Sequence, residues 1–133
     1  MPKKPVISVV DDDPLVLEGT MDLLNSMGFT AATFQRAEEF LKSERLYSTS
    51  CLITDVQMPG MTGLELYHHL IGSGTVIPTI LITAYPDDAD RTRALQAGVH
   101  CYLTKPFDER ELLTCIRSAL AHRRKRDTRG SRS

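Results

Sequence analysis

A chain of 133 residues with 41% hydrophobic side chains can bury one core and is too short for two ordinary domains. No run approaches the roughly 18 consecutive apolar residues of a membrane span, which excludes a helical membrane protein and points to a soluble, unsecreted, cytoplasmic one. The net charge of −1 hides an asymmetry: residues 122–133 carry six Arg or Lys against one Asp, leaving 10 basic and 16 acidic side chains before them, a body better suited to cations than to nucleic acid.

In chain order, apolar runs rich in β-branched residues alternate five times with segments of helical period, the mark of an α/β fold with a parallel sheet. Residues 6–10 read as a buried strand. Asp13 and Pro14 then supply a cap and a first-turn proline for a helix to about Met27, ended by Gly28. Residues 30–34 form a weaker second strand, followed by a short helix at 37–42. Residues 51–54 are a third strand buried on both faces. A helix from Gly63 to about Ile71 carries Leu64, Leu66, Tyr67, Leu70 and Ile71 at helical spacing.

Residues 80–83 make a fourth strand, Pro86 to Ala97 a helix closed by Gly98, and residues 101–103 a fifth strand. The last helix begins at Asp108, with Glu111 three residues on in a capping-box arrangement, and Leu112, Leu113, Ile116 and Leu120 on its inner face. Residues 123–133 read as a basic linker or tail, whose final Gly, Ser, Arg, Ser resembles a cloning-site scar. Cys51, Cys101 and Cys115 are odd in number and lack CxxC spacing, which argues against a disulfide framework or a zinc site and for small buried thiols.

In open parallel sheets ligands gather beyond the carboxyl ends of the strands, near the point where strand order reverses. Asp11, Asp12 and Asp13 follow the first strand, Asp55 the third, Thr83 closes the fourth, and Lys105 lies just past the fifth. If strands one and three are neighbours, as in the flavodoxin-like order 2-1-3-4-5, two acidic ends meet. Carboxylates about 4 Å apart repel by roughly 4 kcal/mol at an effective dielectric near 20, so the cluster calls for a cation or a raised pKa.

Mg²⁺ answers that need, since it keeps several waters while taking one or two carboxylates and a phosphate oxygen. Asp55 is the candidate nucleophile on phosphorus, because carboxylates form acyl phosphates. Lys105 and the Thr83 hydroxyl would hold two phosphoryl oxygens. Asp13, directly before Pro14, reads as a helix cap rather than a ligand. Lys105 before Pro106 admits a cis peptide that could aim the lysine inward.

The strings VVDDDP, TDVQMPGMTG, ILITA and YLTKPF, in that order, resemble the CheY-like receiver domains of two-component response regulators over residues 5–122. The resemblance implies a flavodoxin-like, doubly wound five-stranded parallel sheet in the order 2-1-3-4-5, flanked by five helices. It makes Asp55 the phosphoacceptor of a histidine kinase, Asp12 a direct Mg²⁺ ligand (Mn²⁺ substituting), Asp11 a ligand chiefly through water, and the Gln57 backbone carbonyl the remaining protein ligand. Thr83 and Tyr102 would be the switch pair, and helix four, strand five and helix five the surface of a receiver homodimer. Such a module is a switch that assists its own phosphorylation and dephosphorylation, not an enzyme acting on an outside substrate.

The spacing from Asp55 to Thr83 and the MPGMTGLEL segment are most similar to the FixJ-like branch, whose members usually carry a C-terminal helix-turn-helix. DNA would then be reached only through an output domain absent from this chain; the alternative is a stand-alone receiver acting through protein contacts. Ala84, Tyr85, Pro86, Asp87 and Asp88 depart from the glycine-bearing loop of that branch, and Tyr85 falls where side chains affect access of hydrolytic water. A phosphohydrolase of the haloacid-dehalogenase type fits Asp11-x-Asp13 loosely but leaves Asp55 unexplained. A flavin carrier would meet three aspartates where a phosphate needs glycines and hydroxyls. His68, His69, His100 and His122 have no evident acidic partner, and Phe29, Phe34, Phe40 and Phe107 read as core.

Overall fold

The computed structural model describes residues 4–132, with side chains described through residue 122. Five strands, β1 (Val6–Val10), β2 (Thr30–Phe34), β3 (Cys51–Asp55), β4 (Thr79–Thr83) and β5 (Cys101–Thr104), pair in parallel in the order β2-β1-β3-β4-β5. The helices are α1 (Pro14–Ser26), α2 (Ala37–Lys42), α3 (Gly63–Gly72), α4 (Asp88–Ala97) and α5 (Glu109–Arg132). A 3₁₀ turn at Glu44–Ser48 was not expected: five residues are too few for a period to show, and its signal is local, Ser43 accepting from Arg45 N–H at 3.0 Å.

Strands β3 and β4 are buried throughout and β1 nearly so, as parallel strands covered on both faces must be. Their side chains alternate between two cores. Ile7, Val9, Ile53, Ile80 and Ile82 face α1 and α5, meeting Leu17, Leu24, Leu112 and Ile116. Val10 and Leu52 face the other way, onto Phe40, Leu66 and Leu70, and Leu81 meets Tyr67, Ala94 and Val99. Fully burying a side chain such as Phe40 contributes roughly 1.5–3 kcal/mol.

Asp13 caps α1, its Oδ1 accepting from Leu15 N–H at 2.9 Å, with Pro14 in the first turn. Gly28 takes φ 90°, where a side chain would be strained. Asp108 accepts from Arg110 N–H at 3.1 Å while Glu111 receives the Asp108 N–H at 3.3 Å. Helix α4, expected from Pro86, starts instead at Asp88: Asp87 is extended at φ −139° and its Oδ1 accepts from Ala89 and Asp90 N–H. Ile71, expected on the inner face of α3, is 45% exposed. Cys51 is buried as expected, but Cys101 and Cys115 are only partly so, and all three are free thiols. The α5 backbone is helical to Arg132; the reading of 123–133 as a basic linker or tail falls on side chains outside those described.

Candidate functional site

The strand register decides which ends meet. Val10 pairs with Thr54, Asp55 with Ile82 and Thr83 with Thr104, so the residues closing β1, β3, β4 and β5 emerge on one rim of the sheet. One carboxylate oxygen from each of Asp11, Asp12 and Asp55 lies within 4.8 Å of the others. Asp11 and Asp55 are buried and Asp12 is exposed. Asp13 stays out of this group in its capping role.

Asp11 is held by its own turn, its Oδ1 accepting from Asp13 N–H at 2.9 Å and its N–H donating to Phe34 O at 3.0 Å. Lys105 follows β5, with its N–H donating to Thr83 O at 2.8 Å, and its peptide bond to Pro106 is cis. Its ammonium reaches back across the rim, donating to Asp11 Oδ2 at 2.9 Å and to Asp55 Oδ2 at 3.3 Å.

Burial is the main cause holding the Asp55 carboxyl above its ordinary value; Lys105 opposes it and Asp11 adds to it. For Lys105, burial is the largest single influence and lowers its pKa, but the hydrogen bonds and charges of Asp11 and Asp55 together outweigh it, and the ammonium is held above its usual range. The cluster therefore keeps one cation for two buried carboxylates, an anionic excess open to solvent at Asp12. Three hard oxygen donors, joined by no Cys or His among the described residues, suit a Mg²⁺-like ion.

The loop after β3 is shaped by glycine. A Cβ at Gly63 would press into the Asp55 backbone carbonyl, while Gly63 N–H donates to Val56 O at 3.0 Å. Met58 is buried in the core beneath, and Gly60 takes φ 77°. Thr62 and Glu65 form a reciprocal capping box at the start of α3, a T-x-x-E signal present in the sequence but not used.

Thr83 is fully engaged. Its Oγ1 accepts from Tyr85 N–H at 3.0 Å and donates to Gln57 Oε1 at 2.7 Å. The resemblance implied a role for the backbone carbonyl of Gln57; its side-chain bond to Thr83 was missed, because it joins residues 26 apart. Tyr102 is half-buried on β5, and Tyr85 is exposed at the rim. His68, His69 and His122 are exposed, and His100 pairs with Ser118 rather than with an acid.

A doubly wound sheet with this order, carrying three carboxylates and one lysine on its carboxyl rim, defines the class. Residues 7–117 match the family model described as response regulator receiver domain; the chain belongs to that family. It is 41% identical over 115 residues to the response regulator protein TodT of Pseudomonas putida, covering 86% of this chain and 51% of that protein. To the transcriptional regulatory protein FixJ of Azorhizobium caulinodans it is 33% identical over 120 residues, covering 90% and 57%. The chain thus spans about half the length of such curated relatives.

Among solved structures, the response regulator StyR superposes with a TM-score of 0.88 at 40% identity, covering 98% of this chain and 66% of that one. The crystal structure of FixJ-N gives 0.80 at 30% identity, covering 91% of this chain and 97% of that one. Among the described residues no helix is long and apolar enough to cross a membrane.

Proposed function

We propose that this receiver is a phosphoryl-operated switch whose acceptor is Asp55 and whose donor is a phosphohistidine of a histidine kinase in the cytoplasm. The observation that carries the reading is the meeting of Asp11, Asp12 and Asp55 within 4.8 Å under a single ammonium. An Asp55 carboxylate oxygen attacks phosphorus; the new P–O bond forms as the P–N bond breaks, and the imidazole leaves with the bonding pair and takes a proton.

Asp11, Asp12, Asp55 and the Gln57 backbone carbonyl would hold Mg²⁺, or Mn²⁺ in its place, and the ion supplies charge neutralisation on the transferring group. Lys105 orients the Asp55 carboxylate before transfer and pairs with a phosphoryl oxygen after it. The Thr83 hydroxyl proton, now on Gln57 Oε1, turns to a second phosphoryl oxygen, a charged and stronger acceptor. That turn frees the space beside β4 into which Tyr102 repacks, and the added charge need only favour one of two packings.

The module is then a switch, assisting its own phosphorylation and dephosphorylation. The relatives include proteins named transcriptional regulators, and this chain covers about half of them, which supports an output domain for DNA binding in the remainder. Pairing of two receivers through α4, β5 and α5 would bring two such outputs together. The test is incubation with acetyl phosphate and Mg²⁺ followed by intact mass. Wild type is expected to gain one phosphoryl group and Asp55→Asn none; full labelling of the variant rejects the assignment.

A further inference from the structure

Between α3, α4 and the sheet lies a half-open cavity of about 250 Å³. Val56, Leu64, Leu81 and Ala94 form its apolar walls, all members of the hydrophobic cluster on that side of the sheet. The polar groups at its edge are mostly engaged. Thr62 Oγ1 accepts from Glu65 N–H at 3.1 Å, the Asp90 carboxylate pairs with Arg93, and Gln57 Oε1 accepts from Thr83.

Two donors remain. The Gln57 amide nitrogen makes no hydrogen bond among the described residues. The Tyr102 hydroxyl is buried; the Asp87 backbone N–H is close enough to donate to its oxygen, but its own proton has no acceptor among the described residues. Burial raises the Tyr102 phenol above its ordinary value, so it stays protonated and able to donate. A buried hydroxyl proton without an acceptor is costly; a water alone would satisfy it but leave the four apolar walls unfilled. An engineered apolar cavity of roughly 150 Å³ in another protein takes up benzene, so this larger space fits a ring with a short polar substituent. The Asp90 carboxylate at the edge disfavours an anion.

We propose that this cavity is a binding site for a small, uncharged, mainly apolar molecule carrying one acceptor oxygen, of the class of the cyclic ketones, held by Tyr102 Oη and the Gln57 amide. Gln57 then stands between two sites, since its carbonyl oxygen holds Thr83. The proposal does not require phosphorylation of Asp55, and its test is made without a phosphodonor.

The experiment is a ¹H–¹⁵N NMR titration of the whole chain with cyclohexanone. Saturable shifts are expected at the amides of Leu64, Leu81, Ala94 and Tyr102, with a Kd of about 1 mM, as befits a ligand of this size. Tyr102→Phe should weaken binding by about tenfold through loss of the hydrogen bond. Ala94→Leu, which fills the space from α4, should abolish it; Leu64→Phe fills it from the half-buried opposite wall and serves where the first variant does not fold. Shifts that stay linear, persist in the filled variants, or are unchanged in Tyr102→Phe would overturn the assignment.

Discussion

Lys105 and Asp11, 94 residues apart in the chain, meet at 2.9 Å between the lysine Nζ and the aspartate Oδ2. The same ammonium reaches Asp55 at 3.3 Å. One cation thus holds two carboxylates that a metal ion would also claim.

Competition of that kind has a measurable sign. Lys105→Met is expected to tighten Mg²⁺ binding about tenfold, or about 1.4 kcal/mol, since a positive charge beside the ligands is removed. The same change should slow labelling by acetyl phosphate by about ten- to a hundredfold, the loss of one charge-assisted hydrogen bond. Calorimetric titration checks the first and a mass time course the second. Weaker Mg²⁺ binding in the variant would sink the competition argument.

Asp55 carries a pH signature. Its carboxyl is held above its ordinary value, chiefly by burial, so ionisation favours the unfolded chain. Below the ordinary carboxylate value neither state is ionised and nothing is lost; the cost grows as pH rises from there through the raised value. Asp55→Asn should therefore raise the metal-free Tm by a few degrees at neutral pH, with the gain vanishing near about pH 4. Added Mg²⁺ should stabilise wild type more than the variant. A gain independent of pH would point to packing instead.

Gly63 is a steric requirement of the acceptor strand. A Cβ there presses into the Asp55 backbone carbonyl rather than into a movable side chain, so relief requires a backbone shift at the site itself. Gly63→Ala is expected to cost about 1–3 kcal/mol in urea unfolding and to slow labelling of Asp55. Wild-type values for both would show that the loop yields freely.

His100 offers a second pH test of opposite sense. Burial first, and the neighbouring His122 second, hold its pKa below the ordinary value, so the folded state resists the proton. Above the ordinary value there is no cost, because both states are neutral; as pH falls through it the unfolded chain is protonated first and stability declines. Between about pH 7 and about pH 5.5, His100→Asn should lose less stability than wild type by urea unfolding. Parallel profiles would remove His100 from the account.

Much of this molecule is legible in one dimension because its signals are local. The bounds of β1 and β2 coincide with those read from the β-branched runs, and Asp13 before Pro14 marks the start of α1 by the chemistry of unsatisfied N–H groups. Where two local signals compete, reading fails: Pro86 suits a first helical turn, yet Asp87 can accept from two N–H groups and takes the cap. Ile71 has the right spacing for the inner face of α3, but it stands one residue from the helix end and is 45% exposed.

The order of elements, their caps and the placing of acidic residues just past β1 and β3 follow from the sequence by itself, since each depends on neighbours a few positions away. Only the tertiary structure decided that Lys105 reaches Asp11, and that Gln57 accepts the Thr83 hydrogen bond while the Tyr102 hydroxyl proton is left without an acceptor. Those relations join residues tens of positions apart, and they are selected by the simultaneous burial of two sheet faces, a constraint that belongs to the whole chain and to no segment of it.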